Sequence, residues 1–416
     1  MDYIRYQNGE LFVEGVAVRE IAKETGTPVF IYSQGAFAAN LRALEAALSQ
    51  TRHLVCYSVK ASSNLALLKI VASLGMGADI VSGGELFRAL KAGIPGGRVV
   101  FSGVGKTARE MAEALDAGVF MFNLESHEEM ELLGDIAARA GAVAHVAFRV
   151  NPDVDPRTHP YIATGLKESK FGIPYGEAAR LYGEAKKIPS LKIIGLDCHI
   201  GSQLTDVAPF QEAARLLGEL MGELKGQGIA IRYLDVGGGL GIAYESETPP
   251  TAAAYVAALT SATAKFPDLT LILEPGRSIV GNACLLATEV LYNKETDAKN
   301  FVVVDAGMND LIRPSLYGAR HAIFPARENV GEGPLKKVSV VGPVCESGDF
   351  LAQDRLLPPL RAGEYLAVMG AGAYGFSMSS NYNSRARAAE VLASGEDFQV
   401  IRRRESYEDL IRGEIY

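Results

Sequence analysis

A (β/α)8 TIM-like barrel joined to an antiparallel β domain is the α/β fold class that this sequence predicts. Three observations predict it. Between about residues 50 and 276 one phrase recurs eight times: a short β-rich apolar run ends in Gly or a polar residue, and an Ala/Leu/Glu-rich stretch follows. The intervening stretches carry apolar residues at three- and four-residue spacing, as amphipathic helices do. After about residue 280 the alternation stops, and short strands broken by Gly and Pro take over.

Taken in order, the first 30 residues are β-rich, and GELFVEGVAV reads as a hairpin expected to pack with the C-terminal β domain. The eight strand-like runs are HLVCYSVK (53–60), MGADIVS (76–82), RVVFSG (98–103), VFMFNLE (119–125), AHVAFRVN (144–151), IIGLDCHIGS (193–202), IRYLDVGGG (231–239) and TLILEPGR (270–277). Between them lie helical segments such as NLALLKIVASL (64–74), GELFRALKAG (84–93), AREMAEALDAG (108–118) and PFQEAARLLGELMGELKGQG (209–228). Strands this apolar need cover on both faces, so eight strand–helix units imply a closed parallel barrel. The later segments FVVVDAGM (301–308), KVSVVGPVC (337–345) and EYLAVMGAGAY (364–374) suggest an antiparallel sandwich or Greek-key barrel. The expected domains are a barrel over 35–278 and a β domain built from 1–34 and 279–416.

Composition narrows the class. A chain of 416 residues, 48% hydrophobic and 22% charged, can bury a large core. Net charge is −8, and the run Arg402-Arg403-Arg404 sits among Glu and Asp and reads as solvated surface, so no nucleic-acid partner is expected. No stretch approaches the apolar length of a membrane span, and MDYIRYQNGELFVEG lacks a signal peptide's apolar core, so a cytoplasmic location is expected. Cys56, Cys198, Cys284 and Cys345 are scattered, without a C-x-x-C pair, so reduced thiols and no metal site are expected.

In such a barrel the active site lies at the C-terminal mouth of the strands. There the strand ends supply Lys60, Arg149, Asn151, His199, Ser202, Gly237-Gly238-Gly239, Glu274, Gly276 and Arg277. An amine, an imidazole, a glycine-rich anion cradle and a carboxylate facing one cavity are what a pyridoxal phosphate site requires. Lys60 closes an apolar strand, where partial desolvation favours a nucleophilic amine, although a strand-end lysine also suits plain snorkelling to water. The GGGLG run lets backbone N–H groups approach a phosphate, and also suits a tight turn. Its place after strand seven, with EPGR after strand eight, matches where barrels bind phosphate. Glu274 suits a ring nitrogen that must stay protonated, and equally a buried pair with a base such as Arg149. His199 reads either as a ring-stacking imidazole or as a satisfied core histidine.

YSVKASSN around Lys60, GADIVSGGEL (77–86), HIGSQ (199–203), DVGGGLG (235–241) and EPGR (274–277) resemble the fold-type III pyridoxal-phosphate-dependent decarboxylases of basic amino acids. The resemblance runs nearly end to end, with Ser62 where that family usually has Asn. It implies pyridoxal 5′-phosphate as cofactor, Lys60 as the Schiff-base lysine and His199 stacked on the ring. It further implies Ser202, Gly238, Gly239, Glu274, Gly276, Arg277 and Tyr374 around ring and phosphate. DAGMNDLIRPSLY (305–317), PVCESGDFLA (343–352) and GAYGFSMSSNYNSRARAAE (372–390) resemble the branch acting on meso-diaminopimelate. That branch implies Arg277, Arg313, Tyr317, Glu346 and Tyr374 as substrate contacts, and guanidinium groups suit a distal carboxylate. Cys345, which otherwise reads as a small buried hydrophobe, is implied as the proton donor reaching the site of the partner subunit in a homodimer. Ornithine- or arginine-type decarboxylases, an alanine-racemase-like enzyme and a non-catalytic cofactor-binding homologue are the competing readings. A polar, Pro-containing segment at 152–171 is a candidate lid.

Overall fold

The computed structural model describes residues 3–155, 159, 164, 169–328, 330 and 333–415. The chain divides into two compact units: Leu41–Ile242 with Thr248–Ser278, and Met1–Asn40 with Ala243–Glu247 and Ile279–Tyr416.

The first unit is a closed barrel. Its eight parallel strands are His53–Ser58, Gly77–Ile80, Val99–Phe101, Met121–Leu124, Ala144–Asn151, Leu191–Asp197, Tyr233–Asp235 and Thr270–Leu273. Each pairs with the next in chain order, and the eighth returns to the first. Helices follow at Leu65–Ser73, Gly83–Lys91, Ala108–Asp116, His127–Arg139, Tyr175–Ala185, Ala208–Gly226 and Ala252–Ala262. The sequence starts many of them in one way, with a short polar residue just before the helix. Asn64, Ser82, Thr107, Ser126 and Thr251 each accept a backbone N–H of the first helical turn. Such caps satisfy donors the helix itself cannot, at about 1 kcal/mol each.

Strand periodicity then builds the site. Cys56, Val100, Met121, Ala147, Ile194 and Ile272 form an apolar plug inside the barrel. Side chains repeat every second residue on one face of a strand, so the next inward layer lies two residues further along. It consists of Ser58, Asp79, Ser102, Asn123, Arg149, Asp197, Asp235 and Glu274, one from in or just past each strand end and all buried, with Asp197 three residues past Ile194 because the pairing shifts register there. A polar ring therefore caps an apolar plug at the strand ends. Among the described residues, no helix is long and apolar enough to cross a membrane.

The second unit holds a three-stranded sheet, Ile4–Gln7, Glu10–Val13 and Val16–Ala17, which contains the expected hairpin. Its larger sheet runs Phe350–Leu357, Lys336–Val341, Asn300–Val304, Cys284–Glu295, Val29–Ser33, Ala389–Ser394, Asp397–Arg402, with Tyr365–Met369 joining Cys284–Glu295 to Ile323–Pro325. Most pairings are antiparallel. Two are parallel: Asn300–Val304 with Lys336–Val341, and Val29–Ser33 with Ala389–Ser394. Leu11, Val13, Ile21, Ile31, Leu285 and Val391 share one core, so the N-terminal strands pack within this unit.

The arginine run is not plain solvated surface. Arg402 pairs with buried Glu390 and lies over the Phe376 ring at 4.6 Å. Arg404 donates to the carbonyl of Pro28 at 2.9 Å. Glu390 faces Arg402 across one hairpin, and Pro28 lies at the other end of the chain, contacts that a local charge pattern does not reveal. Of the lid segment, 156–158, 160–163 and 165–168 lie outside the described residues.

Candidate active site

Lys60 stands in the 3-10 turn Val59–Ala61 directly after the first barrel strand. Its Nζ lies 2.8 Å from Asp79 Oδ2, which also accepts from Ser58 Oγ at 2.5 Å. Lys60 and Glu274 line one cavity of about 360 Å3, together with Ser102, Arg149, Asp197 and His199. That size falls within the range of small-molecule pockets.

The ring around this cavity is acidic. Asp79, Asp197, Asp235 and Glu274 are buried carboxylates, and Arg149 is the ring's one cation. Burial first, then the neighbouring acids, pushes the Glu274 and Asp197 carboxyls well above the usual range. Asp235 is pushed up as well, mainly by burial. Arg149 does not neutralise Glu274: it pairs with Glu125 at 3.3 Å and donates to the His199 carbonyl at 3.2 Å. Glu274 Oε1 instead accepts from Ser102 Oγ at 3.2 Å. Asn123 Nδ2 donates both to Ser102 Oγ at 3.1 Å and to Asp235 Oδ2 at 3.2 Å. A ring of this sign stabilises a cation placed against it.

His199 is held neutral. Burial, then the charges of Arg149 and Lys60, pushes its imidazole well below the ordinary range. Its Nδ1 accepts the Gly238 N–H at 3.2 Å, which assigns the ring proton to Nε2. The glycine run is required by close approach. A Cβ on Gly238 would strike the Glu274 carbonyl, and Gly239 has φ +112° with the Gly201 carbonyl where its Cβ would lie. Gly276 packs on Ser58 and Ala61. Beside it, Arg277 Nη2 donates to Ser202 Oγ at 3.0 Å. The structure thus brings Lys60, His199, Glu274 and the GGGLG and EPGR turns to one mouth.

The remaining residues singled out from the sequence lie in the β unit. Arg313 begins the helix Arg313–Tyr317, is buried, and donates from Nη1 to His321 Nε2 at 2.8 Å. His321 Nδ1 lies 2.8 Å from the Met369 carbonyl, so Nδ1 carries the proton and Nε2 accepts. The Arg313 guanidinium lies 4.5 Å from the Tyr244 ring centroid. Tyr317 and Tyr374 are half-buried, whereas Cys345 and Glu346 are exposed. Sequence reasoning missed Asp79, Ser102, Asn123, Asp197 and Asp235. The signal was available, because each lies two residues, or for Asp197 three, beyond an inward position on its strand.

Comparison with known proteins places this geometry. The model for the pyridoxal-dependent decarboxylase, pyridoxal binding domain matches residues 34–281. A diaminopimelate decarboxylase of Pseudomonas aeruginosa is 53% identical over 414 residues, covering 100% of this chain and 99% of the relative. The structure of a Helicobacter pylori diaminopimelate decarboxylase complexed with L-lysine aligns with TM-score 0.91 at 43% identity, covering 95% and 98% of the two chains. That of M. jannaschii in co-complex with L-lysine aligns with TM-score 0.95 at 39% identity, covering 100% and 98%.

Proposed function

Because the chain belongs to the pyridoxal-dependent decarboxylases, and within them to the diaminopimelate decarboxylase family, we propose that it converts meso-2,6-diaminopimelate to L-lysine and CO2 with pyridoxal 5′-phosphate. The observation that carries this reading is the single cavity into which both the Lys60 amine and the Glu274 acid open. The acidic ring fits a cofactor whose ring nitrogen must bear a proton, and the close-packed glycine run fits its phosphate end. Lys60, His199, Ser202, Gly238, Gly239, Glu274, Gly276, Arg277 and Tyr374 would hold it. Bound there, it supplies an electron-poor ring that accepts the electron pair released when a carboxylate leaves as CO2.

The protein's own part is charge and position. Glu274, whose carboxyl is pushed up by burial and then by the neighbouring acids, would share a proton with a basic ring nitrogen bound there, and Ser102 donates to its Oε1. His199 stays uncharged, so it would pack beside the cofactor without competing for that proton. Asp79 holds the Lys60 amine when the lysine is not engaged. Arg313 grips the substrate's far carboxylate, with Arg277, Tyr317, Glu346 and Tyr374 as further contacts. Cys345 delivers a proton to the carbon that CO2 has left, and a cytoplasmic homodimer, with the thiol supplied by the partner subunit, belongs to the same reading. Residues 35–278 act as the cofactor-binding domain, and 1–34 with 279–416 as the β domain.

The test is turnover of a panel by the purified, cofactor-loaded chain, following lysine and CO2. Faster turnover of ornithine or arginine than of meso-diaminopimelate would overturn the reading. Mixing Lys60→Ala with Cys345→Ala chains should restore part of the lost activity if subunits share sites. No recovery would remove the shared-site part.

A further inference from the structure

The turn Tyr382–Ser384 carries two consecutive non-glycine residues with left-handed backbone, Asn383 at φ +55° and Ser384 at φ +53°. Such a conformation costs of order 1 kcal/mol per residue and persists only where surrounding structure enforces it. Here the enforcement is visible on both flanks. Ser380 N donates to the Asn309 carbonyl at 2.9 Å, and Arg385 Nη2 donates to the Asp305 carbonyl at 2.8 Å. Asn381 Nδ2 and Arg387 Nε are both tied to Glu405, at 2.6 Å and 2.8 Å. What the strained turn delivers is one atom: Asn383 Oδ1 accepts the backbone N–H of Cys345 at 2.7 Å.

The loop carrying Cys345 is held from its other side by Asp349. That carboxylate is buried and accepts the Val344 N–H and the Met308 N–H, each at 2.6 Å. The residues before and after Cys345 are thus anchored inward, to Asp349 and through Asp349 N to the Glu346 carbonyl at 3.0 Å. Asn383 alone meets Cys345 from the outside, among the described contacts of that residue's backbone N–H. Without it the peptide bearing the thiol loses its outer tether while the loop as a whole stays attached.

We propose that Asn383 is a positioning residue for Cys345, its Oδ1 setting where the thiol stands through the Cys345 backbone N–H. The proposal rests on the reading of Cys345 as the proton donor, and it assigns Asn383 no contact with substrate or cofactor. Asn383→Gly is the informative variant, since glycine adopts the left-handed backbone without strain and only the acceptor atom is lost. Asn383→Asp keeps an acceptor at the same place and serves as the rescue.

Two readouts on the cofactor-loaded, full-length enzyme separate this role from a structural one. The first is the rate of iodoacetamide labelling of Cys345, which is exposed in the single chain and opens to the substrate pocket in the proposed dimer, whereas the other three cysteines are buried. The second is kcat against KM for meso-diaminopimelate, in the Cys345 and the Cys345→Ala backgrounds. Asn383→Gly should change the labelling rate several-fold and lower kcat about tenfold with KM nearly unchanged, since a misplacement of about 1 Å can cost up to a hundredfold. Asn383→Asp should restore both, and in the Cys345→Ala background Asn383→Gly should cost nothing further. Labelling and kcat of Asn383→Gly within twofold of wild type would overturn the proposal, and so would an equal kcat loss in both backgrounds. If Cys345→Ala itself turned over normally, the proton-donor reading would fall, while altered labelling in Asn383→Gly would still establish the tether.

Discussion

Replacing Ser102 by Ala deletes one buried hydroxyl from the ring at the barrel mouth. That hydroxyl donates to Glu274 Oε1 at 3.2 Å and accepts from Asn123 Nδ2 at 3.1 Å. Asn123 Nδ2 keeps its bond to Asp235 Oδ2 at 3.2 Å, while its other N–H loses its acceptor and adds a stability cost of about 1–3 kcal/mol. The effect on turnover and cofactor binding falls on Glu274, in the state where its carboxylate carries charge. A hydrogen bond to a charged group contributes about 1.5–3 kcal/mol, and the long 3.2 Å separation places this one at the lower end. At about 1.4 kcal/mol per decade, the expectation is roughly a tenfold loss in kcat and in cofactor affinity. Titration of the cofactor-free variant with pyridoxal phosphate by absorbance, with steady-state turnover alongside, measures both, and Glu274→Gln provides the reference for complete loss of the acid. If Ser102→Ala stayed within twofold of wild type while Glu274→Gln fell a hundredfold, the hydroxyl would not be what aims Glu274.

Three other outcomes are expected. Lys60→Ala should abolish the visible absorbance of the loaded enzyme, and an unchanged band would rule out the assigned lysine. Arg313→Ala should raise KM about a hundredfold, from about 3 kcal/mol of charge-assisted contact, with cofactor affinity nearly unaltered; cofactor loss with normal KM would show the role to be wrong. In the cofactor-free protein, burial raises the Glu85 carboxyl from the ordinary 4.5 to about 7, so between these values the folded chain binds more protons than the unfolded one. Stability should therefore fall as pH rises through that window, and Glu85→Gln should flatten the slope; a melting midpoint that rises from pH 5 to pH 7, by calorimetry, contradicts this.

The barrel was legible because each strand–helix unit carries its own local signal, an apolar run and then a three-to-four spacing. Strand ends differed by a few residues: IIGLDCHIGS was read as one strand, yet pairing stops at Asp197, leaving His199 in the loop that needs it. The site residues that sequence missed sit inside runs already read as strand. Asp79 in MGADIVS and Asp235 in IRYLDVGGG become informative only when the two-residue alternation is carried one step past the plug. Other features have no local signal at all. The parallel pairing of Val29–Ser33 with Ala389–Ser394 joins segments from opposite ends of the chain. A left-handed Asn383 cannot be read from its side chain, because what enforces it are Asn309, Asp305 and Glu405.

Val29–Ser33 lies between Cys284–Ala287 on one side and Ala389–Ala393 on the other. During synthesis this segment emerges among the earliest, and both of its neighbours emerge late. Its hydrogen-bonding edges must stay unpaired, or be shielded by other means, until almost the whole polypeptide has left the ribosome. In the barrel each strand pairs with the next to appear, and only one edge of His53–Ser58 waits for the closing strand Thr270–Leu273.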